Sequence, residues 1–107
     1  MASKPHTTPR LLDPNFVRSV TILRRRGFPQ LALRLRGGQE LVGRQARVLY
    51  VDRKRLPGST GWLVVGVATD QQWAVWWEEP APPTFREGDV VEITLRDNRP
   101  TGRRVPT

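Results

Sequence analysis

Residues 91–96 (VEITLR) alternate strictly between apolar and polar side chains. Residues 31–36 (LALRLR) likewise place a leucine at every second position. Neighbouring side chains of a β-strand point to opposite faces, so a period of two is typical of a strand with one buried face. Both stretches therefore predict half-buried β-strands.

Further segments of this kind surround these two, which gives six predicted strands, at about 16–24, 30–36, 45–52, 61–69, 72–78 and 89–96. Turn-forming glycine, proline and aspartate separate them, and no stretch predicts a helix of useful length. A sheet of short strands must protect its edges, and closure into a barrel does so. We therefore expect an all-β fold over residues 16–97: a small six-stranded antiparallel barrel of the OB-like or SH3-like kind.

The two ends of the chain differ in composition from the middle. Residues 1–15 hold Pro5, Pro9 and Pro14 and little apolar material before Leu11, and residues 98–107 are basic. A segment that cannot bury itself stays extended unless a partner holds it. We expect an extended arm over 1–15 and a basic C-terminal tail over 98–107, on either side of one barrel domain.

Composition excludes several classes of function. The chain holds 18 basic and 10 acidic residues, and its net charge of +8 favours a polyanionic partner. It has no cysteine, and His6 in the arm is its one histidine, so no thiolate or histidine site fits the folded body. No apolar run approaches the ~20 residues of a membrane span, and the start lacks a secretion signal. We expect a non-enzymatic protein without cofactor or metal, neither secreted nor membrane-bound.

Charge is distributed unevenly along the chain. Residues 1–58 hold 13 basic and 3 acidic side chains, whereas residues 59–107 hold 5 and 7. The candidates for polyanion or partner binding are Arg24, Arg25, Arg26, Arg34, Arg36, Arg53, Lys54 and Arg55. The candidates for acidic oligomer contact are Glu78, Glu79, Glu87 and Asp89. In a meander, alternate turns meet at one end of the sheet, and complementary charges there would suit a head-to-tail ring. The alternative is that both groups are solvated loops.

The tryptophans of the fifth predicted strand point to different faces. Trp73 and Trp77 share the parity of Val75, whereas Trp76 shares that of Ala74. At least one of the three then lies outside the core, where it can stack a nucleobase or anchor a protein interface. The alternative is a strand that is buried on both faces.

Two other aromatic residues are predicted to belong to the core. Tyr50 shares the parity of Val48, and Trp62 that of Val64. On an alternating strand, each should therefore point to the same side as its buried neighbour.

Two groups of residues resemble phage proteins. Residues 11–16 (LLDPNF) and 21–25 (TILRR) resemble the opening of small tailed-phage structural proteins of the head-to-tail and tail regions. Residues 60–63 (TGWL), 76–77 (WW) followed by Pro80, and 87–90 (EGDV) are similar to the OB domain of phage baseplate spike proteins. The resemblance implies a non-enzymatic subunit located in the virion or the host cytoplasm. It also implies that the subunit docks by its barrel and that its arms contact other virion proteins and copies of itself.

Three hypotheses for the function follow. The first is a virion structural protein of the head-to-tail, tail or baseplate region, forming part of a ring. The second is an OB-like module that binds single-stranded DNA or RNA through Arg24–26, Arg53–55 and Trp76. The third is a small inhibitor that binds a host protein through the same surface.

Overall fold

The computed structural model describes residues 13–106, in which six strands form one curled sheet and one α-helix packs against it. The helical elements are α1 (Pro14–Arg25) and two short 3-10 helices, Leu31–Arg34 and Gly38–Leu41. The strands are β1 (Leu35–Gly37), β2 (Gln45–Val51), β3 (Trp62–Ala68), β4 (Ala74–Glu79), β5 (Val90–Arg96) and β6 (Arg99–Arg104). The prediction of a mostly β, barrel-like fold is confirmed. The predicted arm falls almost entirely on residues 1–12, outside the described residues.

The strands are not arranged as a simple meander. Their order across the sheet is β1-β4-β3-β2-β5-β6, and β1 runs parallel to β4 whereas every other pair is antiparallel. The prediction of a wholly antiparallel sheet is therefore wrong for β1. The sheet curls so that β6, at one edge, meets β4 near the other edge, where Gly102 N donates to Glu79 Oε2 at 2.6 Å.

The predicted strand at 16–24 is wrong, because this segment belongs to helix α1. Asp13 caps the helix by accepting a hydrogen bond from Asn15 N at 2.9 Å, and Pro14 occupies its first turn. The buried face repeats every four residues, at Asn15, Ser19 and Leu23. Since two of these three positions are polar, the apolar residues alone do not display the helical period.

The predicted strand at 30–36 is wrong for its first part. A 3-10 helix has three residues per turn, so its side chains do not alternate between two faces. Leu31 and Ala32 are consequently buried together, while Leu33 is 79% exposed. The strand begins only at Leu35.

The predicted C-terminal tail is wrong for the six residues that form β6. Asp97 and Asn98 connect β5 to β6 with φ of 50° and 67°. Two consecutive positive φ values are the mark of a type I′ hairpin turn, which Asp and Asn tolerate better than most residues. The turn therefore returns the chain along β5 instead of releasing it into solvent.

Two hydrophobic clusters lie on opposite faces of the sheet. The helix-side cluster consists of Leu23, Leu31, Ala32, Leu35, Leu63, Val65, Val67 and Ala74. The inner cluster, on the face around which the sheet curls, consists of Ala46, Val48, Val64, Val75, Trp77, Phe85, Val91 and Ile93. Because β3 contributes to both clusters, it is the central strand of the fold. In the described part of the chain, no helix has the length and apolar character needed to cross a membrane.

The aromatic residues follow this division. Trp76 packs on the helix-side cluster, whereas Trp77 belongs to the inner cluster and Trp73 packs against it, as their parity predicts. Trp76 is half-buried, so β4 is covered on both faces. Tyr50, however, lies on the helix side, away from Val48. The register shift between these two residues is a β-bulge, and it reverses the alternation.

Candidate nucleic-acid interface

Glu79, a candidate for oligomer contact, is used inside the fold. It is buried, and its carboxylate accepts hydrogen bonds from Trp77 Nε1 at 2.7 Å, Thr101 Oγ1 at 2.7 Å and Gly102 N at 2.6 Å. These bonds join β4 to β6 across the curl of the sheet. Glu79 is therefore not part of an acidic surface.

The other three acidic candidates also have partners within the chain. Glu78 accepts hydrogen bonds from one side chain of α1 and one of the β2–β3 loop. Glu87 pairs with Arg26 at 3.2 Å, and Asp89 lies 3.8 Å from Arg104. Exposed ion pairs of this kind contribute little free energy. They nevertheless give Glu87 and Asp89 basic partners within a single chain.

The eight basic candidates occupy three separate places. Arg24, Arg25 and Arg26 lie at the C-terminal end of α1, where the helix dipole favours cations. Arg34 and Arg36 lie at the end of the sheet where β1 and β4 begin. The remaining three, Arg53, Lys54 and Arg55, follow β2 at the opposite end and are exposed.

Arg34, Arg36 and Trp73 line one groove of about 490 Å³, which we call the Trp73 groove. Arg44, which precedes β2, completes it: its guanidinium carbon lies 5.5 Å from the centre of the Trp73 ring, a cation–π distance. The structure thus joins two predicted arginines and one predicted tryptophan with an arginine that the sequence did not indicate.

The positive charge of the Trp73 groove is only partly neutralised. Arg36 lies 3.9 Å from Glu40, a long and exposed pair. Arg34 donates to the carbonyl of Gln72 at 3.4 Å. Within residues 13–106, neither Arg34 nor Arg44 has a carboxylate partner. Two guanidinium groups are therefore available beside the indole ring.

A second groove, of about 650 Å³, lies where β2 ends and β3 begins; we call it the Trp62 groove. Its lining includes Trp62, Arg53, Phe85 and, from the β4–β5 loop, Arg86. Trp62 is half-buried and lines this groove, whereas the sequence placed it in the core.

A polar network fixes α1 to the end of β2 beside the Trp62 groove. Asp52 is buried, and Arg18 donates to both of its carboxylate oxygens, at 2.6 and 3.2 Å. Tyr50 OH donates to Asp52 Oδ1 at 2.7 Å, and Leu63 N to Oδ2 at 3.0 Å. The bidentate geometry is the one that best suits an arginine–carboxylate pair.

These contacts shift three pKa values. Burial alone would raise the pKa of Asp52, but the hydrogen bonds from Arg18, Tyr50 and Leu63 N outweigh it and hold the pKa below the ordinary 3.8. The hydrogen bond to Asp52 raises the pKa of Arg18. Burial, together with the hydrogen bond to Asp52, raises the pKa of Tyr50 above 10.0. At neutral pH the network therefore holds an ion pair and a neutral phenol.

Sequence reasoning missed Arg44, Arg86 and the Arg18–Asp52 pair. Each depends on contacts between segments that are distant in the sequence, and charge counting alone does not find such contacts. One sequence feature could have indicated Arg44 as a site residue. Arg44 follows the turn glycine Gly43 (φ 90°) and directly precedes β2, so its side chain lies at the end of the sheet.

Nothing in residues 13–106 groups three His, Cys, Asp or Glu side chains as a metal site would require. Comparison of the chain with protein-family models, curated proteins and solved structures found no match. The phage resemblance therefore stays a prediction.

Proposed function

We propose that this chain binds single-stranded nucleic acid through the Trp73 groove. The observation that supports the proposal is the clustering of Arg34, Arg36 and Arg44 around one half-buried tryptophan. Arginine binds phosphate through a planar fork of donors, and tryptophan stacks bases of any sequence. A groove that offers both suits a phosphate backbone with its unpaired bases.

The half-burial of Trp73 favours a single strand over a duplex. In a duplex the bases are paired and stacked, so their faces cannot reach an indole ring that is half-buried in a groove. An unpaired base can turn out of its strand and stack on the indole of Trp73 or on the Arg44 guanidinium beside it, because guanidinium planes stack on bases as well. The phosphates on either side would then contact Arg34 and Arg36.

The test is the binding of a fluorescein-labelled oligothymidylate over a range of salt concentrations. We expect the double variant Arg34→Ala/Arg44→Ala to bind about tenfold more weakly or worse, since the charge-assisted hydrogen bond from Arg34 to a phosphate alone contributes about 1.5–3 kcal/mol. The slope of log K against log salt should also become shallower by about 0.7, the value for one phosphate that the variant no longer neutralises.

The matched control is Arg24→Ala/Arg25→Ala, which removes the same charge from exposed arginines at the end of α1. Its affinity should fall only by the non-specific electrostatic attraction that two positive charges contribute anywhere on the surface. An equal loss in both variants would contradict the proposal, as would binding of duplex as tight as that of the single strand.

A structural subunit is the second candidate. The solvent side of α1 supports it, because Val17 is 51% exposed and lines a shallow groove with Ile22, Arg25 and Tyr50. An apolar patch beside arginine and tyrosine has the composition of a protein interface. In a virion, this face would bind a neighbouring protein while the Trp73 groove stayed free.

A further inference from the structure

The Trp62 groove has the same chemistry as the Trp73 groove, at the opposite end of the sheet. Each contains a half-buried tryptophan with arginines beside it. Arg44 directly precedes β2, and Arg53 lies two residues beyond it. The seven residues of β2 span roughly 23 Å, so the two grooves are separate sites.

Two carboxylates and two arginines line the Trp62 groove, and both carboxylates are neutralised by arginines outside that lining. Its two carboxylates are already paired, Asp52 with Arg18 at 2.6 Å and Glu87 with Arg26 at 3.2 Å. Arg53 and Arg86 are exposed, and neither has an ion pair within residues 13–106. The groove therefore offers two guanidinium groups to an anion.

Trp62 can be reached from solvent. Trp62 is only half-buried, and it lines the groove, so part of its side chain is open to solvent there. Pro82 and Pro83 line the same groove. A flat ligand that enters the groove can therefore contact the indole.

We propose that the Trp62 groove is a second nucleotide-binding site, which holds another segment of the same single strand that occupies the Trp73 groove. A base would stack on Trp62, and the adjoining phosphates would contact Arg53 and Arg86. This inference rests on the proposed function. It adds that the chain binds a strand at two points, one at each end of β2.

Two linked sites make a prediction about strand length. A trinucleotide can occupy only one groove at a time, whereas a strand of about 16 nucleotides, the upper end of the range for one OB fold, can reach both. Once one groove is occupied, binding at the other becomes intramolecular, and the long strand gains affinity beyond either site alone. The informative quantity is therefore the ratio of the two affinities.

The experiment measures this ratio for oligothymidylates of the two lengths, by tryptophan quenching and anisotropy, on the full chain. In Arg53→Ala/Arg86→Ala we expect the ratio to fall about tenfold or more. In Arg24→Ala/Arg25→Ala both affinities should fall together and leave the ratio unchanged. Trp62→Ala should act like the arginine pair, and circular dichroism verifies that it folds. Because Arg53 and Arg86 are exposed, their double variant keeps the test valid if Trp62→Ala unfolds.

The possible results separate the two proposals. If Arg34→Ala/Arg44→Ala weakens binding but the ratio is the same in Arg53→Ala/Arg86→Ala, the second site is wrong and the proposed function stands. If neither oligonucleotide binds, both proposals are wrong. If the trinucleotide quenches the wild type and Trp62→Ala equally while an acidic, proline-containing peptide quenches only the wild type, the Trp62 groove is a peptide site and the inference is overturned.

Discussion

At the scale of single residues, Asp52 illustrates how a buried charge is tolerated. Its carboxylate accepts from Arg18, Tyr50 and Leu63 N, so each oxygen has two donors. Desolvating a charge is costly, and only such complete hydrogen bonding offsets the cost. The pair also fixes the end of β2, from which Arg53 extends into the Trp62 groove.

Asp52→Asn should destabilise the protein by about 3 kcal/mol at neutral pH, the lower end of the range for a broken buried pair, because Arg18 is partly exposed. The pKa of Asp52 in the folded state lies below 3.8, so its contribution to stability is present above that pH and is lost as the pH falls through the folded value. Urea unfolding of wild type at falling pH should show this loss, and the variant should lack it. The exposed turn residue Asp70, changed to Asn, is the control. An unchanged acid dependence in Asp52→Asn would contradict the assignment.

At the scale of elements, the sequence predicted β2, β3, β4 and β5 to within about two residues at each end. These strands are apolar on at least one face. Apolar residues at every second position of the sequence therefore indicate the buried face directly. The errors have different causes. Helix α1 buries two polar residues, the first 3-10 helix contains an exposed Leu33, and β6 is a polar edge strand held by a turn. In each case tertiary contacts decided the structure.

The candidate site was predictable to a similar extent. Charge and aromatic content indicated Arg34, Arg36 and Trp73, which do lie in one groove. The same criteria indicated Trp77, which is in the core, because parity shows only that two faces exist and not which of them is covered. Arg44 and Arg86 required the order of the strands, which the sequence did not predict.

The curl that brings β6 against β4 depends on Gly102. A Cβ at this position would lie 2.9 Å from Trp77 Cζ2 and 3.1 Å from Phe85, so alanine cannot fit without displacing the inner cluster. We expect Gly102→Ala to destabilise the protein by about 1–3 kcal/mol in urea unfolding. Gly37→Ala is the control, since nothing lies within 4 Å of its Cβ and its φ is ordinary. Equal stability of the two variants would show that β6 does not pack this closely.

At the scale of the whole molecule, the shared strand β3 links the two hydrophobic clusters. Its side chains enter the helix-side cluster on one face and the inner cluster on the other. Neither cluster can open without disturbing the strand on which the other is built. The two tryptophan grooves lie at opposite ends of this common core, which keeps the distance between them fixed.

The distribution of charge predicts the state of the chain in solution. The acidic residues that could contact a second copy already have partners in the same chain, so we expect a monomer of 12.2 kDa at low and moderate salt in sedimentation velocity. Oligomers whose fraction grows with protein concentration would contradict this expectation. If Val17→Asp removes them and Leu33→Asp does not, the solvent side of α1 is the self-association surface. Leu33 serves as the control because it is an exposed apolar residue outside α1, whereas Val17 lies on α1. Loss of the oligomers in Val17→Asp alone would favour the structural subunit over the monomeric single-strand binder.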